Sequence, residues 1–317
     1  MFAARLVAVS FSVFVLVYGG LSLAVSCGWR RFWLYNGKYP VRRSADLLFG
    51  LRLFPLLAAV AVTLAFTVPS FVLLEPRSIE ESIGIAPLLL GLCGLMLAGF
   101  GVWNAARALK TASRAIRSWM SEAKLVESRG KVPVLRISRV VPALTAAGIL
   151  TPRILMSGAA EFLLTEKELQ TAVRHELAHV RRRDNLKKLL LQLVEFPGMA
   201  ALEAAWLEAT ELAADDAAVF NAGEALDLAA ALIKLSRLAP SELQVDLTAA
   251  LVHSPAAVMN VRVERLLAWS EERRVPIRRG YSLWCAAGAA LALVAAFAVT
   301  YGALLVRVHS ATEWLVR

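Results

Sequence analysis

The sequence is poor in the residues that cross-link small secreted proteins. It contains three cysteines among 317 residues, and no two of them form a CxxC pair. Cys27, Cys93 and Cys285 lie within or beside long apolar stretches, a pattern that favours neither a disulfide framework nor a cysteine-based zinc site. Histidine is almost as scarce, with four residues. Two histidines that stand close together are therefore a notable feature of this chain.

Charge is missing from four long stretches. Residues 7–26, 53–74, 83–106 and 281–306 contain no Asp, Glu, Lys or Arg, in a chain that is 58% hydrophobic with a mean hydropathy of +0.59. Soluble domains are about 45–50% apolar. Each stretch meets the roughly 20 residues needed to cross a bilayer as a helix. The first is too long for the apolar region of a signal peptide, so the sequence predicts four transmembrane helices.

The loops between these stretches alternate in charge, within a net charge of +10. Residues 28–46 carry five basic side chains, whereas residues 75–82 carry three acidic side chains and one arginine. Because basic loops stay in the cytoplasm, we predict an inner-membrane protein with both termini outside and the large middle region inside. The basic clusters suit anionic membrane lipids. We expect no direct nucleic-acid partner.

The predicted fold class is an α-helical membrane protein with an inserted α+β domain. Three spans occupy residues 1–107, the cytoplasmic domain residues 108–279, and the fourth span with a short tail residues 280–317. In the domain, residues 105–126 continue the third span as a helix, and residues 132–137 and 153–157 are predicted strands. Residues 142–152, with two prolines and a glycine, are predicted to be loop-rich. Further helices are predicted over residues 200–221, 224–238 and 258–272.

One predicted helix carries the histidine pair. Thr165 followed by Glu168 is a capping box, which predicts a helix from there towards Glu195, ended by Pro197 and Gly198. His175 and His179 lie four residues apart and therefore share one face of that helix. Glu176 directly follows the first histidine. This is the HExxH arrangement of two zinc ligands and a general base, and a polar surface helix is the alternative interpretation.

A third protein ligand is expected from the next helix, because catalytic zinc sites take three protein ligands and leave one position open. Glu211 and Asp215 are four residues apart there. We predict that Glu211 binds the metal and that Asp215 orients a ligand histidine. Glu208 and Asp216 are alternative ligands, and a solvated helix face is the alternative for the whole pair.

These motifs resemble the BlaR/MecR-type membrane metallopeptidases, the antirepressors of beta-lactam sensing. The resemblance rests on "LTEKELQTAVRHELAHVRRRDNL", on "ELAAD", on "RVERLL" from Arg262, and on the position of the domain between the third and fourth spans. It implies a cytoplasmic gluzincin-like zinc metallopeptidase domain. The matching residues imply His175, His179 and Glu211 as zinc ligands, Glu176 as the catalytic glutamate and Asp215 as the outer acid.

The sequence departs from the sensor members of that family at its end. They continue into an extracellular penicillin-binding domain, whereas about ten residues follow Val306 here, without an SxxK motif. We therefore expect no direct reaction with beta-lactams and a signal from a separate sensor partner, the lipid or the short loops.

Three further residues or segments are candidates for the reaction. His253 is predicted to stabilise the developing oxyanion, with a loop histidine of no special role as the alternative. Arg262 is expected to form an ion pair with Asp215 or to contact the substrate. The strand ending near Ile154 is expected to pair with an extended substrate peptide.

The predicted function is that of a membrane-anchored zinc endopeptidase. Its expected substrate is a cytoplasmic protein, most plausibly a BlaI/MecI-type transcriptional repressor. The alternatives are a quality-control protease similar to HtpX and a transducer without catalysis. The sequence leaves the substrate, the cleavage site, the trigger and the oligomeric state open.

Overall fold

The computed structural model describes residues 2–36, 40–75, 84–121, 123–129, 132–138, 143–193, 196, 198–238, 249–250, 256–269 and 300–313. The chain forms two compact units. The first comprises Met1–Trp33, Leu51–Phe100 and Pro276–Arg317, and the second comprises Leu34–Gly50 and Gly101–Val275. The second unit thus includes residues 34–50, which the predicted division at residue 107 had grouped with the spans.

Three helical segments among the described residues are long and apolar enough to cross a membrane: Phe2–Arg31, Val41–Leu74 and Ile85–Met120. They contain the first three predicted spans, apart from residues 83 and 84. Their elements are α1 (Phe2–Asn36), α2 (Val41–Val62), a π-helical turn (Thr63–Thr67), α3 (Val68–Leu74) and α4 (Ile85–Met120). Residues 270–299, with most of the fourth predicted span, lie outside the described residues. Residues 300–313 form a helix, named α11 here.

Two glycines allow α4 to approach α1 closely. A Cβ atom at Gly91 would lie 2.8 Å from the carbonyl oxygen of Ala8, and one at Gly94 would lie 2.5 Å from that of Phe11. In lipid, apolar burial does not drive helices together, so close packing through small residues supplies the attraction. The three-residue spacing of these glycines puts both on the face of α4 that contacts α1.

The second unit contains a five-stranded sheet in the order β1-β2-β4-β3-β5. Its strands are β1 (Lys124–Arg129), β2 (Val132–Ile137), β3 (Leu144–Ala147), β4 (Arg153–Ser157) and β5 (Ala249–Ala250). The β2–β4 pair is parallel, and the other pairs are antiparallel. The predicted strands at 132–137 and 153–157 are confirmed as β2 and β4.

Three expectations about this region are wrong. The helix after the third span ends at Met120, and β1 begins at Lys124 where a helix to residue 126 was predicted. Residues 144–147 in the loop-rich stretch form β3. β4 cannot receive a substrate strand, because β2 and β3 already occupy its two edges. β3 instead is the strand next to the HExxH helix, and its outer edge pairs with β5 at Thr145 and Ala146.

The remaining helices of the second unit follow β4 in sequence, and all but the third of them contribute to one core with inner residues of the sheet. They are α5 (Gly158–Leu163), α6 (Glu166–Arg182), α7 (Asp184–Gln192), α8 (Ala200–Ala218), α9 (Ala222–Ser236) and α10 (Ala256–Leu267). Ile154 of β4 and Leu228 and Leu232 of α9 are fully buried in that core. Helix α6, with Ala172 and Val173 in the core, is therefore held between the sheet and α9.

The turn between β3 and β4 requires a glycine. Gly148 has a φ angle of 91°, and a Cβ atom there would lie 2.7 Å from the carbonyl oxygen of Thr151. We expect Gly148→Ala to lower the free energy of unfolding by about 1–3 kcal/mol, the usual cost of a non-glycine residue in a strained conformation. Denaturant unfolding of the purified chain in detergent would measure the change. Gly223→Ala is the control, because its Cβ atom would meet only the Asn221 side chain, at 3.2 Å.

Candidate metal centre

Helix α6 begins at the predicted capping box. The Glu168 carboxylate accepts a 2.8 Å hydrogen bond from the Thr165 backbone N–H, and the Thr165 hydroxyl accepts one from the Glu168 N–H. Both helix-start donors are thus satisfied. The helix then carries His175 and His179 on one buried face, with exposures of 0% and 2%. Their position inside the domain argues against a polar surface helix.

Three ligand atoms converge from α6 and α8. The Nε2 atoms of His175 and His179 lie 3.1 Å apart, and each lies 3.6 Å from a different carboxylate oxygen of Glu211. Two ligands of a tetrahedral zinc ion, each about 2.1 Å from it, stand about 3.4 Å apart. The spacing of these three side chains therefore fits one bound zinc ion, and two imidazoles with a carboxylate form a common catalytic donor set.

Asp215 and Arg262 contact the ligand side chains and stabilise their arrangement. Asp215 Oδ1 lies 2.9 Å from His175 Nδ1, on the side of the imidazole that faces away from the other ligands. The fully buried Arg262 guanidinium donates two hydrogen bonds to Asp215, at 2.8 and 2.9 Å, and lies 2.9 Å from Glu211 Oε2. The structure thus pairs Arg262 with Asp215, one of its two expected roles, and with Glu211 as well.

The charge of Arg262 keeps both carboxylates ionised. Burial alone would raise their pKa values, but Arg262 outweighs it, together with both histidines at Glu211 and with His175 at Asp215. The pKa of Glu211 falls to about 2, and that of Asp215 falls well below its usual range. Burial lowers the pKa of His175, but Asp215 and Glu211 outweigh it and the net shift is upward. The centre is therefore anionic around the ligand atoms, as a cation requires.

Glu176 is the general-base candidate and is fully buried beside the ligands. Its Oε2 accepts a 2.6 Å hydrogen bond from the backbone N–H of Ala146 in β3. Its Oε1 has no hydrogen-bond partner among the described residues. Burial raises the pKa of Glu176 to about 8. The sheet therefore holds Oε2, whereas Oε1 is the oxygen that can bind a proton.

The part of the chain from α4 to Leu266, which includes the metal centre, is similar to one known family. The family described as BlaR1 peptidase M56 matches residues 82–266, more than half of the chain. The chain belongs to the BlaR1 peptidase M56 family. Its peptidase character and its membrane helices follow from that membership together with the three candidate spans. No curated protein matches the chain.

Among the alternative ligands in this M56 peptidase, the structure groups only Glu211 with the histidines. The described side chains that converge near them include neither Glu208 nor Asp216. Asp216 is 43% exposed and forms a 2.8 Å ion pair with Arg265. His253 lies outside the described residues, so its predicted role stays a prediction.

Asp184 contacts the second histidine, and the sequence did not indicate this role. Its Oδ2 lies 2.8 Å from His179 Nδ1, and its side chain is fully buried. The expected continuous helix to Glu195 is wrong, because α6 ends at Arg182 and Arg183 adopts a left-handed conformation with φ 56°. In one continuous helix, five residues correspond to a rotation of about 140°, which would turn Asp184 away from His179. The break at Arg183 brings it back.

We expect Asp184→Asn to weaken zinc binding by about 10–100-fold, the usual effect of removing an acid that orients a ligand histidine. Competition against a chelating zinc indicator would measure the affinity of the purified chain. Asp46→Asn is the matched control, because Lys187 lies 3.9 Å from Asp184 and 3.0 Å from Asp46, and Asp46 is 56% exposed and forms no ion pair with a histidine among the described contacts. Equal affinities for the two variants would contradict an orienting role for Asp184.

Proposed function

We propose that this chain is a zinc-dependent membrane endopeptidase that cleaves a cytoplasmic protein. The observation that carries the proposal is the convergence of His175, His179 and Glu211 beside the buried carboxylate of Glu176. When bound there, zinc would activate a water molecule and polarise the scissile carbonyl group. The remaining steps depend on the side chains of the chain itself.

Glu176 performs the proton transfers in this proposal. The Ala146 N–H fixes Oε2, so Oε1 is the atom that takes the proton of the attacking water and later delivers it to the leaving amine. A nearby cation favours the ionised carboxylate, which is the form that can accept a proton. Without the metal, burial raises the pKa of Glu176 to about 8, so the ionised form that accepts the proton depends on the bound cation.

Asp215 and Asp184 hold the two imidazoles for this reaction. Each carboxylate lies within 2.9 Å of the Nδ1 atom of one histidine, a position from which it favours the Nδ1–H tautomer of that ring. The Nε2 lone pairs of His175 and His179 are then free on the side where they converge with Glu211. A cavity of about 330 Å³ beside His179, bordered by Gly148 and Asn185, adds room close to this site.

We propose an orientation with the peptidase unit in the cytoplasm and both termini outside. Two features support it: the basic loops beside the unit, and the contacts that group Arg5, Glu75 and His309. These residues belong to the start of α1, the end of α3 and the end of α11. The proposed topology puts all three on the same side of the membrane. Anionic lipids are the expected partners of the basic loops.

The substrate that we propose is a transcriptional repressor of the BlaI/MecI type, with a separate protein as the sensor. Membership of the BlaR1 peptidase M56 family supports this choice. The buried, singly hydrogen-bonded Glu176 supports catalysis over a purely receptor-like role. Broad degradation of membrane proteins, as by an HtpX-like protease, remains the other enzymatic possibility.

The test is a comparison of newly formed protein N-termini in cells with the wild-type chain and cells with Glu176→Gln. Cleavage of one DNA-binding repressor that depends on Glu176 is the expected result. Cleavage of many membrane proteins would replace this proposal with the quality-control function. An identical set of N-termini in both cell lines would overturn the peptidase proposal.

A further inference from the structure

A second group of metal-ligating side chains lies in the first unit, away from the HExxH motif in sequence. It consists of Glu75, His309 and Glu313, whose ligand atoms all lie within 4.8 Å of one another. Glu75 directly follows α3, and His309 and Glu313 lie four residues apart in α11. That spacing puts both side chains on one face of the helix, as it does for His175 and His179.

The distances in this group resemble those of a metal site more than those of an ion pair. His309 Nε2 lies 3.5 Å from Glu313 Oε1 and 3.8 Å from Glu75 Oε2. Charge-assisted hydrogen bonds bring nitrogen and oxygen to about 2.7–2.9 Å, whereas two ligands of one zinc ion stand about 3.4 Å apart. The HExxH centre has spacings of 3.1–3.6 Å, so one of the two distances from His309 lies within the range of that centre and the other is slightly longer.

A separate contact determines where α11 lies. The Tyr301 hydroxyl donates a 2.6 Å hydrogen bond to the carbonyl oxygen of Ala65, and the rings of Tyr301 and Phe66 lie 5.8 Å apart. Ala65 precedes Glu75 by ten residues, and Tyr301 precedes His309 by eight. The helix therefore runs beside the α2–α3 segment in the same direction, and His309 faces Glu75 as a result of packing.

The surroundings favour a cation with an open coordination position. Glu75 and His309 are 7% and 14% exposed, whereas Glu313 is 48% exposed, so water can reach the group from one side. Arg5 lies 2.9 Å from Glu75 Oε1, and His309 Nε2 lies 3.8 Å from the other oxygen, Oε2. A hydrogen bond to the oxygen that does not bind the metal is the usual support of a ligating carboxylate. With a neutral imidazole, Arg5 and the two glutamates have a net charge of −1.

We propose that Glu75, His309 and Glu313 bind a divalent metal ion of the zinc type and connect α3 to α11. This site differs from the HExxH centre in every ligand and does not depend on the proposed peptidase activity. In the proposed topology it is exposed to the outside of the cell. A metal ion there would connect α3 and α11, which lie more than 200 residues apart in the sequence.

The proposal is tested by measuring the zinc content of the full-length chain in detergent. Metal is first removed with a chelator, and the chain is then reloaded with zinc and dialysed. We expect two zinc ions per wild-type chain, one for His309→Ala, one for His179→Ala and none for the double variant. The second site would be overturned if the wild-type chain held a single zinc ion, His179→Ala lost that ion and His309→Ala retained it. That result would leave an Arg5–Glu75–His309 ion-pair network as the only role of the group.

Glu313→Gln is a second variant that tests the site even if an alanine variant fails to fold. The side chain is half exposed and the amide has the same shape, so the fold is expected to persist, as circular dichroism would show. Under competition with a chelator, this variant is expected to release one zinc ion at lower chelator concentration than wild type while the other ion is retained. Release curves that coincide with those of wild type would count against Glu313 as a ligand. Failure of His179→Ala to lose a zinc ion would count against the HExxH centre and would leave the test of the second site unchanged.

Discussion

Replacing Glu176 by glutamine is expected to lower the turnover of the peptidase by about 10²–10⁴-fold, the usual contribution of a positioned general base. The change keeps the shape of the side chain and removes its ability to accept a proton. Zinc content is expected to stay at the wild-type level, because the converging ligand atoms belong to His175, His179 and Glu211. Initial rates with a purified substrate and zinc per chain, both measured on the same sample, would show this separation.

Glu166→Gln is the matched control for that experiment. Glu166 lies in the same helix, is exposed and forms a side-chain hydrogen bond only with Gln170, at 3.2 Å, among the contacts of the described residues. Its replacement is expected to leave both the rate and the zinc content unchanged. If Glu176→Gln lost zinc together with activity, the glutamate would be needed to form the site. If it retained the full rate, another group would be the general base.

Replacing Arg262 by methionine is expected to be the most destabilising single change in the centre. Arg262 is fully buried and neutralises the carboxylates of Asp215 and Glu211 at 2.8–2.9 Å. Without it, two buried carboxylates would lose their shared cation. Removal of one partner from a buried ion pair costs about 3–5 kcal/mol. Denaturant unfolding of the full chain in detergent, with metal removed, would measure this loss.

Arg265 provides a matched control one turn later in the same helix. It forms a 2.8 Å ion pair with Asp216, but both side chains are partly exposed, at 23% and 43%. Exposed ion pairs contribute about 0–1 kcal/mol, so Arg265→Met is expected to have a small effect. Similar losses for the two variants would show that burial of the Arg262 network does not determine its contribution. Zinc would be expected to offset part of the Arg262→Met loss, because a cation replaces the missing positive charge.

Local patterns were sufficient for the elements with strong local signals. The capping box at Thr165 predicted the start of α6, and the β-branched and aliphatic run at Val132–Ile137 predicted β2. β3 was missed because Leu144–Ala147 is four residues long and lies among turn residues. Its strand conformation comes from pairing with β4 and β5, which are distant interactions.

The metal centre likewise combines features that local sequence predicts with features that depend on tertiary packing. The four-residue spacings of His175 and His179, and of Glu211 and Asp215, indicate shared helix faces without knowledge of the fold. Whether Glu211 or Asp216 binds the metal depends on which face of α8 packs against α6. That packing brings Glu211 to His175 and His179. The role of Asp184 depends on one left-handed residue at Arg183, a position where local sequence favours continued helix.

The sequence by itself determined the apolar spans, the HExxH helix and the class of donor atoms, because these follow from periodicity and composition over short distances. Only the tertiary structure decided that Arg262 neutralises both carboxylates, that β3 holds Glu176, and that Asp184 reaches His179. It also brought Glu75 to His309, more than 200 residues later in the chain. Such contacts join segments far apart in sequence, and their geometry depends on the packing of whole helices and strands.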